Sequence, residues 1–370
     1  MNVEQTSPGS SFIVHRSSFE IVVATPDVVG ERMAGPGIRA TYFARELAKI
    51  ANVTLVARGD GNAREAFRRA DVLVGQPFRG FFKRRRGQRV VYDLFDPTVL
   101  ELRELYGNMP SIRQRIHVAA EWSRLLFALR FGDTLISASH QQREFYSRLQ
   151  SGDTPWIQVP FGVDMSEVKR CEPPKDNVAV WGGGVWEWLD PKTAVDAVLK
   201  LNREGLRSRL LFLGRARPNQ HRVERRRENR FEELLAQGKP YVDANAEWVP
   251  YRERLSWLRA GKAAIMLHRP TPEADVSIRT RLFDAITAGV PVIATERGFA
   301  AELVERESLG IVVPPMDADA VAAALRKLFT DDAFHATCVR NLERIRPRFA
   351  WEVVTLPLVS TIIEWQKQAG

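Results

Sequence analysis

The apolar positions of this chain fall into short β-branched runs that alternate with stretches of helical spacing. The run "FEIVVAT" (Phe19 to Thr25) has no helical period and predicts a strand. A loop holding Gly30, Gly35 and Gly37 follows. Ile38, Tyr42, Phe43, Leu47 and Ile50 then recur at helical spacing, and "NVTLVAR" supplies the next strand. Further apolar runs, "DVLVG", "RVVYDL", "DTLISAS" and "WIQVP", lie between helical or loop segments, as expected for a parallel sheet covered on both faces.

The pattern breaks at "KRCEPPKDN", where paired prolines and charge interrupt every periodicity, and this predicts a linker. It restarts with "NVAVWGGG", a helix from about Pro191 to Asn202, and "RLLFLG". "RERLSWLRA", "AAIML", "PVIAT", "GIVVPP" and a helix from Asp317 to Phe329 complete a second alternating unit. The expected organisation is a polar, Ser-rich tail (1–18), two doubly wound α/β domains (19–170 and 171–348) and a terminal helical segment (349–370). Pro357 should kink that segment, which is expected to pack back on the first domain. Two such sheets place their strand C-terminal ends opposite each other, so ligands are expected in the interdomain cleft.

The 370 residues suit two domains, and 45% apolar with 27% charged residues is an ordinary enzyme composition. Cys171 and Cys338 have no metal-ligand spacing and cannot form a disulfide framework, which fits a reducing cytoplasm. No apolar run approaches the roughly 20 residues needed to span a bilayer. The net charge of +9 is partly clustered in "FRGFFKRRRGQR" (Phe78 to Arg89) and "HRVERRRENR" (His221 to Arg230). Bases interleaved with stacking aromatics along a nucleic-acid module are missing, so no nucleic-acid partner is expected. Phe78 to Arg89 joins apolar anchors to cations and suits peripheral contact with an anionic bilayer, the inner face of the membrane for a cytoplasmic protein; the alternative is a basic surface loop.

Three stretches carry candidate chemistry. In "AGPGIR", Gly35 and Gly37 precede a helix, where backbone N–H groups can approach phosphate; a plain tight turn is the alternative. The loop lacks the G-x-G-x-x-G spacing of nicotinamide dinucleotide sites. In "WGGGVWEWLDP", Gly182, Gly183 and Gly184 follow a strand directly and permit close ligand approach. Trp186 and Trp188 suit either packing between helix and strand or the face of a sugar or base. The third stretch, "HRPTPEADVSIRTRLFDAITAGVPVIAT" (His268 to Thr295), orders acid, arginine, acid, Gly, Pro and strand. Ser277 is expected to cap a helix carrying Arg279, Arg281 and Asp284, whose first-turn N–H groups would receive a phosphate. Arg279 and Arg281 lie two apart and cannot share a helix face, so one is expected to meet the anion and the other to serve structure.

Together with "VYDLFDP", "SASHQQREF", "PFGVD", "LFLGRARPN" and "WVPYRERLSWL", these stretches make the sequence resemble the GT-B glycosyltransferases of retaining family 4, or group 1, over nearly the whole chain. The resemblance implies a GT-B fold of two Rossmann-like domains and transfer of a sugar from a UDP-, GDP-, ADP- or dTDP-sugar to a glycan, lipid-linked or small-molecule acceptor. The donor would sit on the C-terminal domain, with Asp284 at the position of the acid that accepts the ribose hydroxyls.

Two departures follow. Most members carry a glutamate eight positions ahead of that acid; here Val276 stands there, with Glu273 and Asp275 close enough to substitute. The bases that usually follow the glycine-rich strand exit and neutralise the diphosphate are replaced by "GGGVWEWLDP", leaving Arg279, Arg281, Arg215 or Arg39. Within this reading Arg279, Glu273 and His268 form the candidate catalytic set, and Asp93 and Asp96 lie on the acceptor side. No metal and no further cofactor is expected, because helix termini and arginines can take the leaving group's charge. Two alternatives remain open at this level: a catalytically inactive component that keeps the fold, and a nucleotide-sugar epimerase.

Overall fold

A computed structural model describes residues 19–77, 84–169, 174–214 and 225–369 of the chain. The N-terminal sheet contains β1 (Glu20–Ala24), β2 (Asn52–Val56), β3 (Val72–Gly75), β4 (Arg89–Asp93), β5 (Thr134–Ser137) and β6 (Trp156–Gln158) in the order β2-β1-β3-β4-β5-β6. The second contains β7 (Val178–Trp181), β8 (Arg209–Phe212), β9 (Val242–Ala244), β10 (Ala263–Met266), β11 (Val292–Thr295) and β12 (Gly310–Val313) in the order β12-β11-β10-β7-β8-β9. All pairings are parallel. With helices between the strands, these are the two Rossmann-like domains of the GT-B fold.

Strands buried on both faces explain the unbroken apolar runs: Val72–Gly75, Ala263–Met266 and Val292–Thr295 are buried at every position. The three-residue β9 is too short for the pattern to reveal and adds an edge strand. Strand order reverses between β1 and β3 in one sheet and between β7 and β10 in the other. These reversals are the points where open α/β sheets bind ligands, beyond the strand C-termini. The first opens on Gly35–Gly37, the start of the helix Gly35–Leu47, and the second on the triple glycine after β7.

The chain returns to the N-terminal domain at its end. Trp351 stacks on Tyr42 (ring centroids 4.7 Å apart) and meets Phe161 edge-on at 5.0 Å. The predicted kink is a break at Thr355, between the helices Trp351–Val354 and Leu356–Ala369. Gln366 Nε2 donates to the Ile50 carbonyl at 3.2 Å, on the N-terminal domain. Among the described residues no helix is long and apolar enough to cross a membrane, and no cluster of three or more His, Cys, Asp or Glu side chains could hold a metal ion.

Candidate functional site in the interdomain cleft

The C-terminal wall of the cleft is assembled at the β7/β10 reversal. Gly183 adopts φ +72°, and a Cβ on Gly184 would lie 2.8 Å from Trp248, so this turn requires glycine. The rest of "WLDP" is architecture. Trp188 and Leu189 are buried, Asp190 caps the helix Pro191–Arg203 by accepting from Thr193 N–H at 3.2 Å, and Pro191 takes the first helical position. Trp186 stacks on Trp188 with centroids 5.5 Å apart and keeps a partly exposed face toward the cleft.

The His268–Thr295 stretch folds differently from its expected capping scheme. Thr271, not Ser277, caps a short helix (Pro272–Val276), and Ser277 ends it. The next helix begins at Thr280 with Arg279 as its N-cap residue and no side-chain cap. The Ser277 hydroxyl donates instead to Glu273 Oε1 at 2.6 Å. Glu273 is fully buried, and Arg279 folds back onto it with Nη1 and Nη2 donating at 2.8 and 2.7 Å. Its bidentate pair leaves Arg279 little charge to offer a ligand. His268 is buried against Arg269, with its ring Nδ1 3.3 Å from that carbonyl. Burial, helped by the charge of Arg279, lowers its pKa to about 3 and keeps the imidazole neutral.

Arg281 has the opposite environment. Nη2 donates to the Gly184 carbonyl at 2.5 Å, the guanidinium lies 5.3 Å from the Trp181 ring, and a Cβ on Gly183 would sit 3.8 Å from Nε. Nη1 is buried with no hydrogen-bond partner among the described residues. Burial first, then the charge of Arg279, lowers its pKa to about 9. A guanidinium destabilised in this way is stabilised by any anion that enters. It stands in the first turn of the helix Thr280–Ala288, where backbone N–H groups lack intrahelical partners.

Asp284, on the same helix, accepts from Arg254 Nε at 2.8 Å. Burial raises its pKa against the pull of Arg254. Arg254 reaches further, to both oxygens of Glu167 (3.1 and 2.8 Å) and to the Tyr251 hydroxyl at 3.0 Å. Tyr251 approaches Tyr42 of the N-terminal domain, oxygen to oxygen, at 3.3 Å. A cavity of about 140 Å³ brings together the three glycines, Trp186, Tyr251, Arg254, Arg281 and Asp284. Arg254, Glu167, Tyr251 and Thr280 carry no signal in the sequence, where "RERLSW" gives only a helical period and nothing marks a pairing across the linker.

The N-terminal domain supplies the other wall. Gly35 opens the helix Gly35–Leu47, and a Cβ there would lie 3.0 Å from Thr280 Cγ2 on the opposite domain; at Gly37 it would lie 2.6 Å from the Val28 carbonyl. Arg39 does not reach the C-terminal wall or line the cleft cavity. At 1% exposure it pairs with Asp93 (2.6 and 3.1 Å), donates to the Pro160 and Val159 carbonyls, and lies over Phe43 and Phe95. Asp93 is thereby held in the core, its pKa raised by burial against the pull of Arg39. Asp96 lies at the cavity wall, receives Gln76 Nε2 at 2.9 Å, and is pushed up to about 7 by burial, with Asp93 and Asp27 adding to it. A cavity of about 320 Å³ spans the cleft between Asp27, Gly35, Phe95, Asp96 and Glu101 on one side and Trp186, Trp188, Ser277, Arg279, Thr280 and Arg281 on the other.

The tail 1–18, Cys171 and Arg215 lie outside the described residues, as does part of the basic stretch from Phe78 to Arg89, of which 84–89 are described. There Arg84 and Arg89 pair with Asp133 and Arg85 with Asp71, which reduces the charge this stretch presents.

Residues 177–331 match the model of the family Glycosyl transferases group 1, so the C-terminal domain is a domain of that type. Over 70 residues the chain is 36% identical to the Oryza sativa subsp. japonica protein named Probable sucrose-phosphate synthase 5, covering 19% of this chain and 7% of that one. Among solved structures it is similar to the sucrose-phosphate synthase of Thermosynechococcus elongatus (TM-score 0.70, 16% identity, 95% of this chain and 100% of that one). It is similar also to Anabaena HepE in complex with UDP-glucose (TM-score 0.69, 14% identity, 93% and 99%). WaaG, a glycosyltransferase involved in lipopolysaccharide biosynthesis, gives TM-score 0.65 at 16% identity over 93% and 99%. At these identities the structural likenesses establish the GT-B fold.

Proposed function

We propose that this protein is a retaining glycosyltransferase of the family 4 type, which takes a sugar from a nucleotide sugar bound on the C-terminal wall. The acceptor is a hydroxyl-bearing molecule on the N-terminal wall. The observation that carries this reading is Arg281, whose buried, unpartnered Nη1 stands beside the triple-glycine turn at a helix N-terminus. A diphosphate placed there is met by the guanidinium and by first-turn N–H groups, and the nearby Asp284 is left for the ribose hydroxyls. The UDP-glucose complex of the similarly folded HepE supports a uridine nucleotide as the first donor to test.

In the proposed reaction the acceptor hydroxyl oxygen attacks the anomeric carbon from the face the nucleoside diphosphate leaves. The bond from that carbon to the β-phosphate oxygen breaks, the new glycosidic bond forms, and the hydroxyl proton passes to the departing phosphate. Arg281 offsets the charge that develops on the leaving group, a task performed elsewhere by a metal ion. His268, neutral and enclosed, and Glu273, engaged by Ser277 and Arg279, then act by positioning this wall. No observation favours the inactive-component or epimerase readings. A peripheral contact through residues 78–89 stays part of the proposal, checked by co-sedimentation with anionic vesicles.

The test of the function is a thermal-shift panel of UDP, GDP, ADP and dTDP followed by sugar transfer from the matching donor. A ligand that binds only the folded state raises its stability, by about 2.7 kcal/mol at one hundred times Kd. One diphosphate is expected to raise Tm; no shift with any of them at millimolar concentration overturns the reading.

A further inference from the structure

One helix of the N-terminal domain turns apolar side chains toward solvent. The helix Ile112–Phe131 buries Leu125, Ala128 and Leu129 on its inner side, where it packs beside the helix Thr98–Tyr106. Ile112, Ile116, Ala119, Ser123, Leu126 and Arg130, spaced by four and three residues, form the opposite stripe, and all six are exposed. Met109, just before the helix, is 92% exposed, Ile112 77% and Ile116 64%. Single apolar side chains on a surface are ordinary, but three this exposed at the tip of one helix pair mark a contact surface.

The charges around this face select what covers it. From Thr98 to Phe131 the exposed Asp, Glu, Lys and Arg side chains are Arg103, Arg113, Arg115 and Arg130, all of them bases. None of the four makes a salt bridge among the described residues. The acids of this segment are half-buried, and Glu121 is paired with Arg124. The helix is also complete without a partner: Ser111 N–H donates to Gln114 Oε1 at 2.7 Å in a capping box, and the Ser123 hydroxyl donates to the Ala119 carbonyl at 2.9 Å. A second copy of the chain seated here about a two-fold axis would bring the same arginines together, which opposes pairing. An anionic bilayer surface supplies both things this face lacks, negative charge for the guanidinium groups and an apolar layer for Met109, Ile112 and Ile116.

The inner side of the same helix faces the site. Glu121, Arg124 and Leu125 line a cavity of about 320 Å³ that reaches Asp96, and Asp96 also lines the interdomain cavity. We propose that the outer face of the helix Ile112–Phe131, with Met109, Ile112 and Ile116 as apolar anchors and Arg113 and Arg115 beside them, docks on an anionic membrane surface, which sets the cleft one helix, about 10 Å, from the bilayer. This surface is distinct from residues 78–89, and the proposal does not depend on the transferase reading.

The test is co-sedimentation of the full chain with vesicles of phosphatidylglycerol and phosphatidylcholine in equal parts, and with phosphatidylcholine alone. The parent should pellet with the first and not the second, and be released at about 1 M salt, where charges are screened within a few ångströms. Ile112→Ser with Ile116→Ser should abolish pelleting. Arg113→Gln with Arg115→Gln should weaken it about thirtyfold, roughly fivefold for each base. All four side chains are exposed, so circular dichroism and Tm should match the parent. Sedimentation velocity without lipid reads the competing occupant, as a parent dimer that the isoleucine changes dissolve. The proposal is overturned by a parent that stays in the supernatant or pellets equally with both vesicles, by unchanged pelleting of either folded variant, or by such a dimer. Because vesicle binding needs no donor, failure of UDP to bind in a separate titration counts against the transferase reading alone.

Discussion

Arg254 joins Asp284 of the helix Thr280–Ala288 to Glu167 of the segment between the domains, with its Nε on one carboxylate and both Nη atoms on the other. The guanidinium is 14% exposed and the carboxylates 26% and 22%, so neither pair is fully screened by water. Removing the cation leaves two carboxylates facing each other in a partly dry site. Arg254→Ala is expected to cost about 3 kcal/mol of folding stability, read as a shift in the urea midpoint. Arg254→Lys should recover only part of the loss, since an ammonium cannot bridge two carboxylates as the planar guanidinium does. An alanine variant as stable as the parent would contradict this role.

His268 predicts a pH dependence. Its folded pKa of about 3 lies below the ordinary 6.5, so between these values the unfolded chain binds a proton that the folded chain refuses. Stability therefore falls as pH drops from about 6.5 toward 3, by about 1.4 kcal/mol per pH unit from this residue. His335, also lowered by burial, acts in the same direction. His268→Asn should flatten the dependence of the urea midpoint on pH between 6 and 4; a slope equal to the parent's would show that the imidazole is protonated in the folded protein.

Gly162 tests how the chain terminus is seated. A Cβ on it would lie 2.3 Å from Trp351 Cδ2, and that ring is already stacked on Tyr42 and braced by Phe161. Gly162→Ala should lower stability by about 2 kcal/mol through overpacking. Adding Trp351→Leu to it should cost less than it does in the parent, a coupling that a double-mutant cycle measures.

Much of the fold was legible because parallel strands buried on both faces leave unbroken apolar runs, as at Val72–Gly75 and Val292–Thr295. The edge strand Val242–Ala244 left no such trace. In the site, the sequence could say that Arg279 and Arg281, two apart, face different ways. Which one is free depends on Glu273 folding back from six residues earlier to take Arg279, and no spacing rule reports that contact. Ser277 looked like a cap but ends the preceding helix, because Thr271 begins that helix early and the next starts only at Thr280. Arg39 follows a glycine-rich turn that suggests phosphate, yet its partner, Asp93, lies 54 positions away at the end of β4. Arg254 was unreadable for the same reason, since its partners come from two other segments.

The central claim is that Arg281, not Arg279, meets the donor's diphosphate, and calorimetric titration of UDP into the parent, Arg281→Met and Arg279→Met tests it most directly. Loss of a charged partner from a desolvated site costs on the order of 2 to 4 kcal/mol, so Arg281→Met should bind UDP about 30- to 800-fold more weakly. The same change removes a buried, poorly compensated charge, and the unliganded variant should be at least as stable as the parent. Arg279→Met breaks the pair with Glu273 and should lower stability while leaving UDP affinity within about threefold once the protein is folded. If Arg281→Met binds UDP as tightly as the parent, the diphosphate lies elsewhere and the account of this site is wrong.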